Sequence, residues 1–144
     1  MSRLTLKQAN TLIEKALERA RAMKIKPLAV VVLDDSGNVV ASQREDKASM
    51  LRFDIALGKA WGAEAMSCSS RALANRAKGN QNFFLTLAAT AQGKFLPQQG
   101  AVLIRDASGA ILGAAGISGA SGDEDEECAA KGVEAAGLKP DASA

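Results

Sequence analysis

Apolar residues recur every three or four positions near the start of the chain, which is the spacing of one helix face. They are Leu6, Ala9, Ile13, Leu17 and Ala20. Thr5 and Gln8 have the spacing of a capping box, so we predict that a helix begins there. Pro27 disfavours helical geometry just before itself, so this helix should end between Met23 and Lys26.

Two later stretches have the pattern of paired strands. Residues 28–33 (LAVVVL) and 38–46 (NVVASQRED) flank the turn sequence DDSG, and residues 101–118 contain a second pair of apolar runs around DASG. Both patterns predict an antiparallel hairpin with a glycine in its turn. The two turns match in Asp, Ser and Gly, which follows either from shared turn chemistry or from internal duplication.

The segment between the hairpins is rich in alanine and predicts helices from about Arg52 to Ala77, with a break near Ser67 to Ser70. Residues 81–92 fit a helix or an extended chain, and residues 93–100 predict a loop or short strand. A last helix is predicted from Asp123 to Ala136, followed by a frayed tail, LKPDASA. This order of elements predicts one α+β domain over residues 1–144, with an antiparallel sheet.

Composition limits the chemistry that this chain can perform. It contains no His, which excludes Ser-His and Cys-His nucleophile pairs and His-ligated zinc or haem. Eighteen basic and sixteen acidic residues leave a net charge of +2, and the basic residues are scattered. We therefore expect no nucleic-acid partner and no membrane partner. The first residues are charged and amphipathic, unlike a secretory signal, so we expect a cytoplasmic protein.

Five segments in order resemble one known family. They are LTLKQAN, VVVLDDSGNVVASQREDKA, DIALGKA, LPQQGAVLIRDASGAILGAAGISG and DEDEECAAKG. Over roughly residues 4 to 137 the chain is similar to the GlcG/HbpS-like family, also called the haem-degrading domain family. The resemblance implies a profilin-like fold, a five-stranded antiparallel sheet with helices on both faces. It also implies homo-oligomers from dimer to octamer, and haem or another tetrapyrrole as the bound cofactor.

The family pattern differs from this chain at two places. Its glycine after the first hairpin is Lys47 here, and its glycine pair before the third strand is Gln98 and Gln99. These replacements either narrow a pocket or supply two amides that line it. The helical pattern Ala-x-x-Lys-Ala is intact around Lys59, and Gly-x-Ser-Gly is intact from Gly116.

Six residues are the candidate ligand-binding groups: Lys59, Arg44, Asp46, Arg52, Gln98 and Gln99. Lys59 is a long cation among small apolar residues, and it is either an ion-paired surface lysine or a contact for a carboxylate or haem propionate. Arg44, Asp46 and Arg52 cluster after the first hairpin, where arginine suits a carboxylate and surface ion pairs are the plainer interpretation. The two glutamines are either ligand amides or ordinary loop residues.

The acidic run of residues 123–127 predicts the start of a helix. Ser121 with Glu124, or Asp123 with Glu126, has capping-box spacing, and acidic residues suit the positive end of a helix. A weak surface metal site that includes Glu127 is the alternative, and we assign no metal site. In the absence of His, Met50, Met66 and Cys68 are the sulfur candidates for a haem iron, although Met usually fills a core.

Three functions remain open from the sequence. The first is a small homo-oligomeric protein that binds haem or another tetrapyrrole, as the resemblance implies. The second is an enzyme of the tautomerase or isomerase type that acts on a small organic acid through Lys59 and an arginine. The third is a structural assembly partner with no ligand. The Ala- and Gly-rich helical stretch predicts a self-association surface, since small residues allow close helix approach.

Overall fold

A computed structural model describes residues 3–144, which form five helices and five strands. The helices are α1 (Leu6–Met23), α2 (Leu51–Met66), α3 (Ser70–Lys78), α4 (Gln81–Thr90) and α5 (Gly122–Ala135). The strands are β1 (Ala29–Asp34), β2 (Val39–Arg44), β3 (Ala101–Arg105), β4 (Ile111–Ser118) and β5 (Lys139–Asp141). Among these residues no helix is both long enough and apolar enough to cross a membrane.

The five strands form one antiparallel sheet in the order β2-β1-β4-β3-β5. Both predicted hairpins are confirmed, and β1 and β4 pair at the centre. The prediction of a frayed tail was wrong, because Leu103 pairs with Asp141 and Arg105 donates to its carboxylate at 2.9 Å. Pro140 is tolerated there because β5 is an edge strand.

Helices cover both faces of the sheet, as expected. On one face, α1 and α5 pack over β-branched side chains such as Val30, Val32 and Ile104. On the other face, α2 packs over Val31 and Leu33. The alternation along β1 follows from the two-residue period of a strand, so one strand supplies side chains to both cores.

The small residues of α2 bury the helix inside the chain. A Cβ added at Gly116 would overlap the carbonyl oxygen of Ala56, and one added at Gly58 would lie 2.8 Å from the Cβ of Leu96. Ala56, Ala60 and the two glycines are therefore contacts within one chain. The α2 part of the small-residue stretch that we predicted for self-association is therefore largely buried within the chain.

The helix boundaries between the hairpins follow local backbone preferences. The predicted break is confirmed, because Ser67 ends α2 in a left-handed conformation and the Ser69 hydroxyl caps α3 by accepting from the Ala72 N–H. Most of the ambiguous segment 81–92 is helical, since α4 covers Gln81–Thr90 and packs Phe84 against Phe95. Residues 94–100 form the predicted loop.

Candidate functional site

A groove opens at the end of the sheet opposite the hairpin turns. β4 ends at Ser118 there, α5 begins shortly after it, and the loop before β3 forms the facing wall. One half has a volume of about 400 Å³ and contains Arg52, Lys59, Lys78 and Asp125. The other half, about 550 Å³, shares Arg52 and Ala120 with the first half and adds Lys24, Lys26 and Glu124. We call these two halves together the cationic groove.

Lys59 and Asp125 form a buried ion pair in the first half of the groove. Lys59 is 5% exposed, and its Nζ donates to the Ile117 carbonyl at 2.9 Å and to Asp125 Oδ2 at 3.3 Å. The other carboxylate oxygen of Asp125 accepts from the Ala120 N–H at 3.0 Å. Lys59 is therefore neither a surface lysine nor an unpaired cation. Asp125 was missed because it lies 66 residues away and looked like one acid in a helix-starting run.

Burial dominates the protonation of this pair. It lowers the pKa of Lys59, an effect that Asp125 opposes and the nearby charge of Arg52 reinforces. Burial also raises the pKa of Asp125, against the opposing effects of Lys59 and the Ala120 N–H. Both directions shift the pair toward its uncharged form, an amine beside a carboxylic acid.

Gly100 makes room for the Lys59 amine. Its φ of +136° lies in the region that favours glycine, and a Cβ built there would lie 2.6 Å from Lys59 Nζ. An alanine at this position would thus displace the amine from its two acceptors. The glycine fixes where Lys59 enters the groove.

Four of the six predicted ligand-binding residues line the first half of the groove. These are Arg52, Lys59, Gln98 and Gln99, which come from α2 and from the loop before β3. Arg52 is half-buried, and its Nη1 donates to the Ser118 hydroxyl at 3.2 Å. Lys24, Lys26 and Lys78, at the two ends of the groove, were not predicted, because residues this far apart in sequence come together only in the folded chain.

Arg44 and Asp46 lie elsewhere, so the predicted cluster with Arg52 does not form. They line a separate depression with Arg21 and Glu45, and Arg44 Nη1 donates to the Ala48 carbonyl at 2.6 Å. The chain turns sharply between Asp46 and α2, which separates residues that are close in sequence.

The two departures from the family pattern have different positions. Lys47 takes the family's glycine position with a φ of 69°, a left-handed conformation that is strained for lysine. It is outside the cationic groove, whereas Gln98 and Gln99 line it and supply amides there. The Gln99 amide is already held by Asp123 at 2.8 Å and by Glu126.

The acidic run has two separate roles. Its outer part starts α5, because Ser121 and Glu124 form the capping box that the sequence predicted. Its inner part, Asp125 and Glu126, is buried and paired with Lys59 and Arg71, respectively. Our interpretation of the run as a helix start alone was therefore incomplete, since two consecutive residues of it are buried and paired with distant cations.

The sulfur candidates lie away from the groove. Met50 is 81% exposed at the start of α2, while Met66 and Cys68 pack against the core around Phe84. Met23, which the sequence analysis did not select, lines the second half of the groove. The groove walls therefore combine several cations with the thioether of Met23.

Known proteins support one family for this fold and site. The sequence model described as "Haem degrading protein HbpS-like" matches residues 4–134, so the chain belongs to the HbpS-like haem-degrading family. Corrinoid adenosyltransferase PduO of Salmonella typhimurium strain LT2 is 29% identical over 133 residues, which is 92% of this chain. The chain spans only 38% of the length of that protein.

Two solved structures share the fold. The crystal structure of the PduOC:haem complex has a TM-score of 0.82 and 27% identity, covering 93% of this chain and 95% of that one. A double mutant of HbpS from Streptomyces reticuli has a TM-score of 0.78 and 28% identity, covering 93% and 87%, respectively. The five-stranded antiparallel α+β fold is thus shared with proteins described as haem-binding or HbpS-like.

Proposed function

We propose that this chain is a ligand-binding protein whose cationic groove takes a tetrapyrrole, with haem as the leading candidate. The observation that carries the proposal is the charge of the groove. Five cations line its two halves, against the two carboxylates of Glu124 and Asp125. The cations are Lys24, Lys26, Arg52, Lys59 and Lys78.

An excess of positive charge selects an anionic ligand, and the spacing of the charges favours a long one. Arg52 stands where the two halves meet, and the exposed lysines lie beyond it on either side. Arginine binds carboxylates with two parallel hydrogen bonds, which suits a propionate. Ile25, Ile55 and Met23 add apolar surface for a macrocycle between the charges.

The relatives support the choice of a tetrapyrrole. One similar structure is a complex with haem, and one similar protein is a corrinoid adenosyltransferase. This chain has no His, so a haem iron would need another ligand. Met23 lines the second half of the groove, and its thioether sulfur is our candidate for that ligand. Haem bound here would contribute its iron and its propionates, and this chain contributes the charges that orient them.

A haemin titration followed by absorbance tests the proposal. We expect saturable one-to-one binding, with metal-free protoporphyrin binding within a few-fold because carboxylates make the main contacts. Arg52→Ala should weaken binding about thirtyfold, the equivalent of about 2 kcal/mol for a charged contact. Lys59→Ala is a poorer probe, since it also leaves Asp125 unpaired.

Arg105→Ala is the matched control. Arg105, like Arg52, is a half-buried arginine that donates a side-chain hydrogen bond, but it lies at the opposite end of the sheet beside Gly109 and Asp141. It should leave haemin affinity within about twofold. Non-saturable adsorption of haemin, or equal losses in the two variants, would contradict the proposal.

We also propose that the protein is a homo-oligomer, between a dimer and an octamer, that associates through α4. Phe83 is 49% and Leu85 is 72% exposed on this helix, and Leu85 lines an apolar depression of about 270 Å³ with Phe84 and Pro97. Residues 81–90 include no charged side chain, so two copies meet without repulsion. Light scattering should give a multiple of 14.9 kDa that Leu85→Glu reduces, and a monomer mass for the parent protein would contradict this proposal.

A further inference from the structure

The Lys59 amine has surroundings that a merely structural ion pair does not require. It lines the groove beside Gly100, where a Cβ would lie 2.6 Å from its Nζ, and it is 5% exposed. Its acceptors are a single carboxylate and a single carbonyl oxygen, while the cation of Arg52 lies near enough to disfavour a second positive charge. A desolvated lysine next to another cation is a pattern that activates lysine as a nucleophile.

We propose that Lys59 forms a reversible imine with the carbonyl carbon of a small 2-oxo carboxylate whose carboxylate is bound by Arg52. Arg52 and Lys59 are seven residues apart in α2, so they project from the same side of the helix two turns apart. Arg52 binds the carboxylate of the ligand, and Lys59 reaches its neighbouring carbonyl carbon. This inference rests on the proposed ability of the cationic groove to bind carboxylates, and it adds a covalent step.

Asp125 supplies the proton transfers that the step needs. In the uncharged form of the pair, the nitrogen lone pair of the Lys59 amine forms a bond to the carbonyl carbon, while the carbonyl oxygen takes the proton of the Asp125 carboxylic acid. The carboxylate of Asp125 then removes a proton from the nitrogen, which gives a neutral carbinolamine. Asp125 returns that proton to the hydroxyl, which leaves as water while the nitrogen lone pair forms the C=N bond of a protonated imine. The Asp125 carboxylate then takes the N–H proton, which gives the neutral imine and restores the carboxylic acid. The sum is amine plus carbonyl giving imine plus water, with no oxidant or reductant.

The substrate class follows from the two contacts. A carbonyl without a carboxylate lacks the contact with Arg52, and a hydroxy acid lacks the electrophilic carbon. Large oxo acids would have to pass the glutamine side chains that line the same half of the groove. Pyruvate therefore represents the class and serves as the probe.

Borohydride trapping on the purified protein tests the inference. Pyruvate and sodium borohydride are added, and reduction of the C=N bond converts the imine into a stable secondary amine. Mass spectrometry of peptides then maps the labelled lysines. Lys78 is the internal control, since it lines the same half of the groove but is exposed. We expect saturable labelling of Lys59 well above that of Lys78, because burial lowers the pKa of Lys59 and so raises its free-base fraction, and because Arg52 holds the carboxylate two turns away on the same helix.

Two competitors and two variants sharpen the result. Lactate, which has the carboxylate without the carbonyl, should protect Lys59, and acetone should label it poorly. Lys59→Arg should abolish the specific label, and Asp125→Asn should slow it while Lys59 remains. The map of the parent protein decides the question even when a variant fails to fold. Labelling spread over lysines by exposure, or unaffected by lactate, overturns the inference.

Haemin binding measured on the same preparation separates the two proposals. If haemin binds in the groove and Lys59 takes no label, the imine inference fails and the tetrapyrrole proposal stands. If Lys59 is labelled specifically and haemin does not bind, the tetrapyrrole proposal fails and the oxo acid is the ligand class supported. If neither occurs, both are overturned.

Discussion

The two ends of the sheet are built by different kinds of contact. At the turn end, Asp34 Oδ1 accepts from two backbone N–H groups within four residues, at 2.9 and 3.0 Å. Asp106 Oδ1 does the same at the second turn, with the same two distances. Gly37 and Gly109 take positive φ values of 78° and 90°. Each turn is thus specified by about five consecutive residues.

At the groove end, the decisive contacts join distant parts of the chain. The acceptors of the Lys59 amine lie 58 and 66 residues away, and the Arg71 partner Glu126 lies 55 residues away. The groove is also where charge is buried, whereas the turn carboxylates face solvent. The end that can be predicted from short sequence stretches is therefore the end without the proposed chemistry.

The largest effect should come from breaking the buried pair at the groove end. Asp125→Ala leaves Lys59 buried without its counter-charge, so we expect the free energy of unfolding to fall by about 3–5 kcal/mol. Adding Lys59→Met removes the unpaired charge and should restore most of that loss. Urea unfolding of the two single variants and the double variant measures the coupling. Additive losses would show that the pair does not act as a unit.

Replacing the outer acids of the same helix start should reduce the free energy of unfolding less than replacing the inner ones. Asp123 is 84% exposed and Glu124 belongs to the capping box, so replacing both with Lys should cost about 1–2 kcal/mol. High salt should remove much of this loss because exposed charges are screened. Thermal melts at low and high salt measure it. A loss as large as that of Asp125→Ala, or one that salt does not change, would contradict this division.

The sequence predicted what local contacts determine. The hairpins, the two capping boxes and the break at Ser67 all depend on neighbouring residues, and all are confirmed. The family resemblance supplied the fifth strand that the local pattern did not, because a three-residue strand containing Pro140 has almost no signal of its own. Its position became visible only from its pairing with β3.

The site could be predicted only in part. Lys59 was recognisable as a cation among small residues and Arg52 as a candidate contact for a carboxylate, and both line the cationic groove. Arg44 was grouped with them because it is close in sequence, although the chain carries it to another depression. Asp125 could not be assigned, since any of five consecutive acids has the right chemistry and only the rotation of α5 decides which one faces Lys59.

Glu64 provides the test with the smallest expected effect. It is a partly buried carboxyl at the turn end, where the turn carboxylates face solvent. Its Oε2 is buried without a hydrogen-bond partner, in a pocket formed with Asp35 and Trp61. Burial, and after it the charges of Asp35 and Asp34, raise its pKa from 4.5 to about 7. Unlike Asp125, this carboxyl has no cation beside it.

The sign of the pH dependence follows from that raised pKa. Between pH 4.5 and about 7 the folded state holds a proton on Glu64 that the unfolded state has lost, so this group's contribution to stability is fully present below pH 4.5. It is lost as the pH rises through about 7, where a charged carboxylate stays buried. Glu64→Gln removes the charge and keeps the shape. The free energy of unfolding of this variant should therefore exceed that of the parent by about 1 kcal/mol at pH 8 and by almost nothing at pH 5. The value at pH 8 is reduced to allow for the partial solvation of the side chain. Urea unfolding at both pH values measures the gain, with the exposed Glu14→Gln as the control that should show none. If the Glu64→Gln variant and the parent are equally stable at pH 8, the carboxylate of Glu64 is solvated like those of the two turns, and the turn end buries no charge.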